Sequence, residues 1–419
     1  MADVLASLAD IYTTIGNLLT RLFVDVLGAS PELASGIIKF LGAGLLATSV
    51  LLILVFNIWF ERKVMARIQD RIGPNRVGPW GIFQTVADLA KLFTKEIIIP
   101  DGADLVPFMI APVISVMSVV LIWAVVPFAP TLIGTDLNIG ALYFVAVSSL
   151  GVVSILLAGW SSNNKYALLG AFRGVAMLVS YEVPFVLALL VPVILSGSMR
   201  MGDIVRAQSI PFLVVMPVAA LIFWIASVAE VGRQPFDVIE GESEIVSGYH
   251  IEYSGFAFAM FYAAEWAHGF TVCALMTVLF LGGWRGPGAE QIPTLGIVYF
   301  LGKTFLVYFF QVWTRAILPR MRIDHILSFS WKFLVPLSLV LLVLSVLADK
   351  LGQLYIPGYA VAGSFVDLLP RTALLLVVTL IVGGLAALWV AGLGRRERRR
   401  QEAALSVASI EGRAAQQAR

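Results

Sequence analysis

Nine stretches of about twenty apolar residues recur along this chain, near 37–60, 107–128, 139–160, 167–196, 211–229, 255–282, 295–318, 331–348 and 371–392. Nothing else in the sequence restricts its fold as severely. A helix rises about 1.5 Å per residue, so each stretch matches the roughly 30 Å of a bilayer's hydrocarbon. In hydrocarbon every backbone amide must be paired within the structure, which leaves helices or a closed barrel. Sustained period-two alternation, the mark of a barrel, does not occur. The expected fold is all-α: a polytopic membrane protein of about nine transmembrane helices with amphipathic interfacial helices. Composition agrees, because 59% of the residues are hydrophobic and 13% charged, against about 25% charged in soluble domains.

Basic residues orient the spans. The 61–106 connection holds Arg62, Lys63, Arg67, Arg71, Arg76, Lys91 and Lys95, and the tail holds Arg395, Arg396 and Arg398 through Arg400. With nine spans these fall on one face, together with Arg233, Arg315, Arg320 and Arg322; with eight they do not. The positive-inside rule then puts the N-terminus outside and the C-terminus in the cytoplasm. Three regions follow: an interfacial N-terminal segment (1–36, with no signal-peptide pattern), a nine-span membrane domain (37–393) and a basic, lipid-facing cytoplasmic tail (394–419).

The chain is poor in ligands for redox metals. One cysteine, Cys273, and three histidines argue against an iron–sulfur, haem or zinc site here. No metal site is expected, and any redox metals belong to partners. A net charge of +2 with scattered basic residues argues against nucleic acid.

Chemistry is concentrated in a few segments. In the 61–106 connection, five glycines or prolines between Gly73 and Gly81 exclude a regular helix. An amphipathic helix follows, with Ile82, Val86, Leu89 and Phe93 on one face. It reads either as a surface anchor or as a wall of a chamber for an amphiphilic ligand. The 230–254 connection carries Glu230, Asp237, Glu240, Glu242, Glu244 and Glu252, with Arg233 as sole basic partner. Apolar residues, including Phe236, Val238 and Ile239, interrupt them, so free solvation is a poor explanation. Crowded acids raise one another's pKa values, which favours proton handling. Within spans, Arg173 and Glu182 lie nine residues apart and face opposite sides of a helix. Glu265, between Tyr262 and His268, and Lys303 complete a set of intramembrane charges that read as a hydrated proton path. A lone Glu-x-x-His does not make a di-iron site.

These motifs are recognisable. Glu61-Arg62-Lys63, Gly73-Pro74-Asn75-Arg76-Val77-Gly78-Pro79, Ala87-Asp88-Leu89-Ala90-Lys91-Leu92, Arg233-Gln234-Pro235-Phe236-Asp237, Glu240-Gly241-Glu242-Ser243-Glu244 and Trp313-Thr314-Arg315 resemble the H-subunit family of bacterial respiratory complex I, the proton-pumping NADH:quinone oxidoreductase. The resemblance runs in order from about Leu51 to Pro336. It implies a heel subunit in the bacterial plasma membrane that joins the hydrophilic and membrane arms and builds much of the quinone chamber. It further implies that Arg62, Arg71, Phe236, Arg315 and Arg320 line that chamber. Glu230, Arg233, Asp237, Glu240, Glu242, Glu244 and Glu252, with Glu182, Glu265 and Lys303, would carry proton coupling. Quinone is the implied substrate. Iron–sulfur clusters and flavin would sit in partner subunits, leaving no catalytic residue in this chain. The heel subunit of a related membrane-bound hydrogenase is the nearest alternative, and a stand-alone proton-coupled transporter a more distant one.

Overall fold

The structure, a computed structural model, describes residues 11–26, 30–356, 359 and 367–417. Helix α1 (Ile11–Arg21) is followed by α2 (Pro31–Ile68), α3 (Gln84–Thr94), α4 (Leu105–Ile122), α5 (Gly140–Ser161), α6 (Lys165–Ser196) and α7 (Pro217–Glu230). Then come α8 (Gly255–Phe280), α9 (Pro293–Ile317), α10 (Ile323–Tyr355, with a π turn at Ser330–Leu334) and α11 (Leu369–Gln417). Among the described residues there is no β-strand, only one isolated bridge between Pro127 and Ile133.

Among the described residues, eight helices are long and apolar enough to cross a membrane: α2, α4, α5, α6, α8, α9, α10 and the Leu369–Gly392 part of α11. The fifth apolar segment is built differently. A turn of helix at Phe212–Val215 precedes the 14-residue α7. Pro217 offers no N–H to continue the first piece, and Met216 leaves the helical region (φ −132°, ψ 61°). This segment is thus two pieces rather than one continuous rod.

Boundaries moved at both ends of α2. Pro31 at the first turn and the Ser30 side chain, which accepts from Leu33 N at 3.4 Å, start the helix within the segment assigned to the N-terminal region. At the other end Glu61, Arg62 and Lys63 are helical rather than part of the connection, which begins at Gln69. The 61–68 run contains no breaker, and helix propensity carries it past the apolar limit. The 73–81 turn then folds back tightly: Gly81 sits at φ 76°, and a Cβ there would lie 2.3 Å from the Pro74 carbonyl.

Helix α8 is the centre of the bundle. Every residue from Gly269 to Phe280 is buried, as expected of a helix apolar all round. It packs against α4 and α9, with α2 alongside, while α6 packs against α5, α7 and α10. At the end opposite the Glu61 end of α2, a buried pair ties α10 to α11. Arg371 Nε meets Asp349 Oδ1 at 2.7 Å, the Tyr359 hydroxyl donates to the same oxygen at 2.8 Å, and Arg371 Nη2 donates to the Leu195 carbonyl at 2.8 Å. The backbone of α11 stays helical through the tail to Gln417.

Candidate functional site

Glu61 was not among the expected site residues, yet it organises the site. It lies one turn beyond Asn57 on the inner face of α2, and both are buried. Its Oε2 accepts from Arg233 Nη1 at 2.6 Å and from the Tyr308 hydroxyl at 2.8 Å, and its Oε1 meets Arg315 Nη1. Arg233 also lies 3.8 Å from Glu265 and 4.7 Å above the Trp266 ring, with Arg315 at 5.8 Å from the same ring. Two acids and two arginines are thus interleaved around an indole. Arg233 and Glu61 are fully buried, and charges so far from water are tolerable only when each has partners.

The α9 side of this cluster has a sequence signature. Thr304, Tyr308, Gln311 and Arg315 follow one another at four, three and four residues, a polar stripe on an otherwise apolar helix. Arg233 comes from the loop after α7. Burial opposes its charge, but Glu61, Tyr308 and Glu265 more than offset this and hold it protonated. Its Nε and Nη2 are buried with no hydrogen-bond partner among the described residues. The site therefore keeps spare donors on a fixed positive charge.

Beside the cluster is a cavity of about 80 Å³, whose lining includes Ser118, Ser148, Glu230, Glu240, Glu265 and His268. That is room for a few waters among polar groups. Burial pushes the Glu240 carboxyl up to about 8, and the negative charges of Glu265 and Asp237 add to the effect. Tyr262 hydrogen-bonds Glu240. Glu230 presents a buried Oε2 without a hydrogen-bond partner among the described residues, its carboxyl lies near Ser148, and it interacts electrostatically with Glu182 of α6.

The remaining acids of the loop go elsewhere, which corrects the reading of one cluster with Arg233 as sole counter-charge. Glu244 is exposed and pairs with Arg173 of α6, whose hydrogen bond and charge hold its carboxyl below the usual range. Glu252 accepts from Asn164 Nδ2 at 2.6 Å. The side chain of Glu242 lies outside the described residues. Turns through Gly241 (φ 39°) and Gly248 (φ 66°) fold the loop so that its acids face different neighbours.

The arginines are likewise divided. Arg62 pairs with Asp88 of α3 at 2.6 Å, and Arg71 Nε donates to Gln69 at 2.7 Å. Both line an open cleft under the 73–76 turn. Arg315 belongs to the same cluster, whereas Arg320 lies against Gly241 with its Nη2 buried and without a hydrogen-bond partner among the described residues. Phe236 is buried, its ring 5.1 Å from that of Tyr181. Lys303 Nζ is bound by the carbonyls of Leu281, Gly283 and Arg285 at 2.7–3.1 Å. It secures the far end of α8, and among the described residues it touches none of the carboxylates.

The fold and the site define a helical integral-membrane protein that gathers interleaved acids and arginines inside one end of its bundle. Residues 41–346 match the family described as NADH dehydrogenase. The chain is 49% identical over 293 residues to the H subunit of the NADH-quinone oxidoreductase of Dehalococcoides mccartyi strain CBDB1, covering 70% of this chain and 81% of that protein. It is 49% identical over 287 residues to the equivalent protein of Carboxydothermus hydrogenoformans (68% and 81%), and 48% over 314 residues to that of Geobacillus kaustophilus (74% and 94%). The chain belongs to this family of NADH-quinone oxidoreductase membrane subunits.

Proposed function

We propose that this chain is a membrane subunit of a proton-translocating NADH:quinone oxidoreductase, where it forms part of the quinone chamber and couples quinone reduction to proton movement. The names of its relatives favour NADH over hydrogen as donor. Electrons would arrive from flavin and iron–sulfur centres in partner subunits of the hydrophilic arm, and other membrane-arm subunits would continue the proton path. The plasma membrane of a bacterium, with the N-terminus outside, is the expected location.

The observation that supports this reading most is Arg233, charged, buried, and shared between Glu61 and Glu265 with donors to spare. Reduction of a quinone to quinol takes up two electrons and two protons. Negative charge arriving near Arg315 and Arg233 competes with the carboxylates for their guanidiniums. A carboxylate that loses part of its counter-charge gains proton affinity, and Glu240, half-protonated near pH 8 across the cavity, is placed to exchange that proton. Glu61 and Tyr308 hold the arginines in position, and burial excludes bulk water from the exchange.

The test is Arg315→Ala in the assembled complex, assayed with quinone and with an artificial acceptor that takes electrons upstream. Quinone turnover should fall at least tenfold, the equivalent of about 1.4 kcal/mol of barrier, with the upstream rate unchanged. Equal losses in both assays would assign Arg315 to assembly and remove the argument. Gentle purification should also bring down the other subunits; isolation as a lone protein would overturn membership of a complex.

A further inference from the structure

A groove runs along the outside of the seam between α2 and α9, on the face where both helices end. Trp59 and Phe60 of α2 and Phe309 and Trp313 of α9 supply its aromatic walls, and Lys63 and Arg67 lie along the same groove. The Trp59 ring is fixed by a hydrogen bond from its Nε1 to the Trp80 carbonyl at 3.2 Å. Phe309 and Trp313 lie one turn apart with ring planes 24° from parallel. Both remain exposed in this chain, at 38% and 43%.

The cations are what distinguish this groove from ordinary lipid-facing surface. Lys63 and Arg67 are four residues apart, so they share a face and repel each other. Neither side chain meets an acid among the described residues. The acid nearest Lys63 in sequence, Glu61, is turned inward to Arg233 and Arg315. The separation of the two cations along the helix, about 6 Å, lets one multi-oxygen anion contact both. Aromatic side chains at the same level match the belt in which tryptophan favours the membrane–water boundary.

We propose that this groove binds a phospholipid with an anionic headgroup, its phosphate between Lys63 and Arg67 and its acyl chains along the aromatic wall. The occupant must be anionic at one end and apolar beyond it, because the two cations stand at the polar end of a surface that is otherwise apolar and aromatic. A helix of another subunit suits the groove less well, since it would need two acids side by side and would have to desolvate both.

The assembled complex in nanodiscs tests this with photoactivatable phosphatidylglycerol and phosphatidylcholine carrying the reactive group on the acyl chain. The phosphatidylglycerol probe should label peptides spanning Trp59–Ile68 and Phe309–Trp313 several-fold more than the phosphatidylcholine probe. The Lys63→Gln/Arg67→Gln variant should bring the two to one level. Competition by unlabelled phosphatidylglycerol, but not phosphatidylcholine, asks the same of the wild type, so a variant that does not assemble leaves the test intact. Equal labelling by both probes in the wild type overturns the proposal. So does a groove without lipid label that cross-links instead to another subunit.

Discussion

At the scale of single residues, the pH behaviour turns on Glu240. Its carboxyl ionises near pH 8 in the folded protein, against 4.5 without the fold. The native state therefore holds an extra proton between those values. The stability linked to the protonated acid is complete below about pH 4.5 and lost as pH rises through 8. Glu240→Gln mimics the neutral acid, so thermal inactivation of the variant complex should vary less between pH 5 and 8 than that of the wild type. Its quinone reductase pH profile should also shift, because coupled acids titrate as a set. Unaltered profiles for both properties would place Glu240 outside the coupling path. Glu61 poses the complementary case. Glu61→Ala would leave the buried Arg233 and the half-buried Arg315 without their shared acceptor, at a cost of about 3–5 kcal/mol, and should deplete assembled complex on native gels, whereas Glu61→Gln should assemble and lose quinone turnover. Of these two residues only Glu240 was legible as a site residue. It stands in a run of acids that includes its neighbour Asp237, while Glu61 meets Arg233, Tyr308 and Arg315 across 172, 247 and 254 residues. Such pairings are products of the tertiary fold, and the polar stripe on α9 was the available clue.

At the scale of elements, the helices were readable because hydropathy is a local property, and the loops were less so because their course depends on what they lie against. The 230–254 connection shows why. It rests on α6 where Gly170 faces Gly248, and a Cβ on Gly170 would come within 2.6 Å of the Gly248 Cα. Replacing a helical glycine by alanine ordinarily gains up to about 1 kcal/mol of helix stability. Here Gly170→Ala should do the opposite, pushing the 248–250 turn off the helix and disturbing the acids upstream of it. The expected result is lower quinone turnover per assembled complex with upstream electron transfer retained. Gly302→Ala in α9, where nothing lies within 4 Å, is the control and should be silent. Similar effects from both substitutions would mean that helix packing in general, and not the loop contact, is being measured.

At the scale of the whole molecule, the ends of α2, α7 and α9 and the acidic loop meet in the Glu61 cluster, and the basic residues counted from the sequence flank the same region. If that face is cytoplasmic and the broken fifth segment crosses, a reporter fused after Arg396 will read cytoplasm and one at Gly352 the opposite side. Both on one side would mean that the Leu369–Gly392 segment does not cross and would overturn the count of nine. Gly352 stands three residues from Asp349, whose pair with Arg371 holds α11 against α10. Elsewhere the two helices meet through apolar side chains such as Phe333 and Trp389, and such a surface has little preference for one height over the next. A greasy rod can creep along its neighbour; a rod with an ionic tooth cannot, because displacement by a single turn, about 5.4 Å, strands both charges. The pair works as a detent: tilt stays inexpensive, axial slip does not, and a pull on the far end of α11 would be felt where Arg371 meets Asp349.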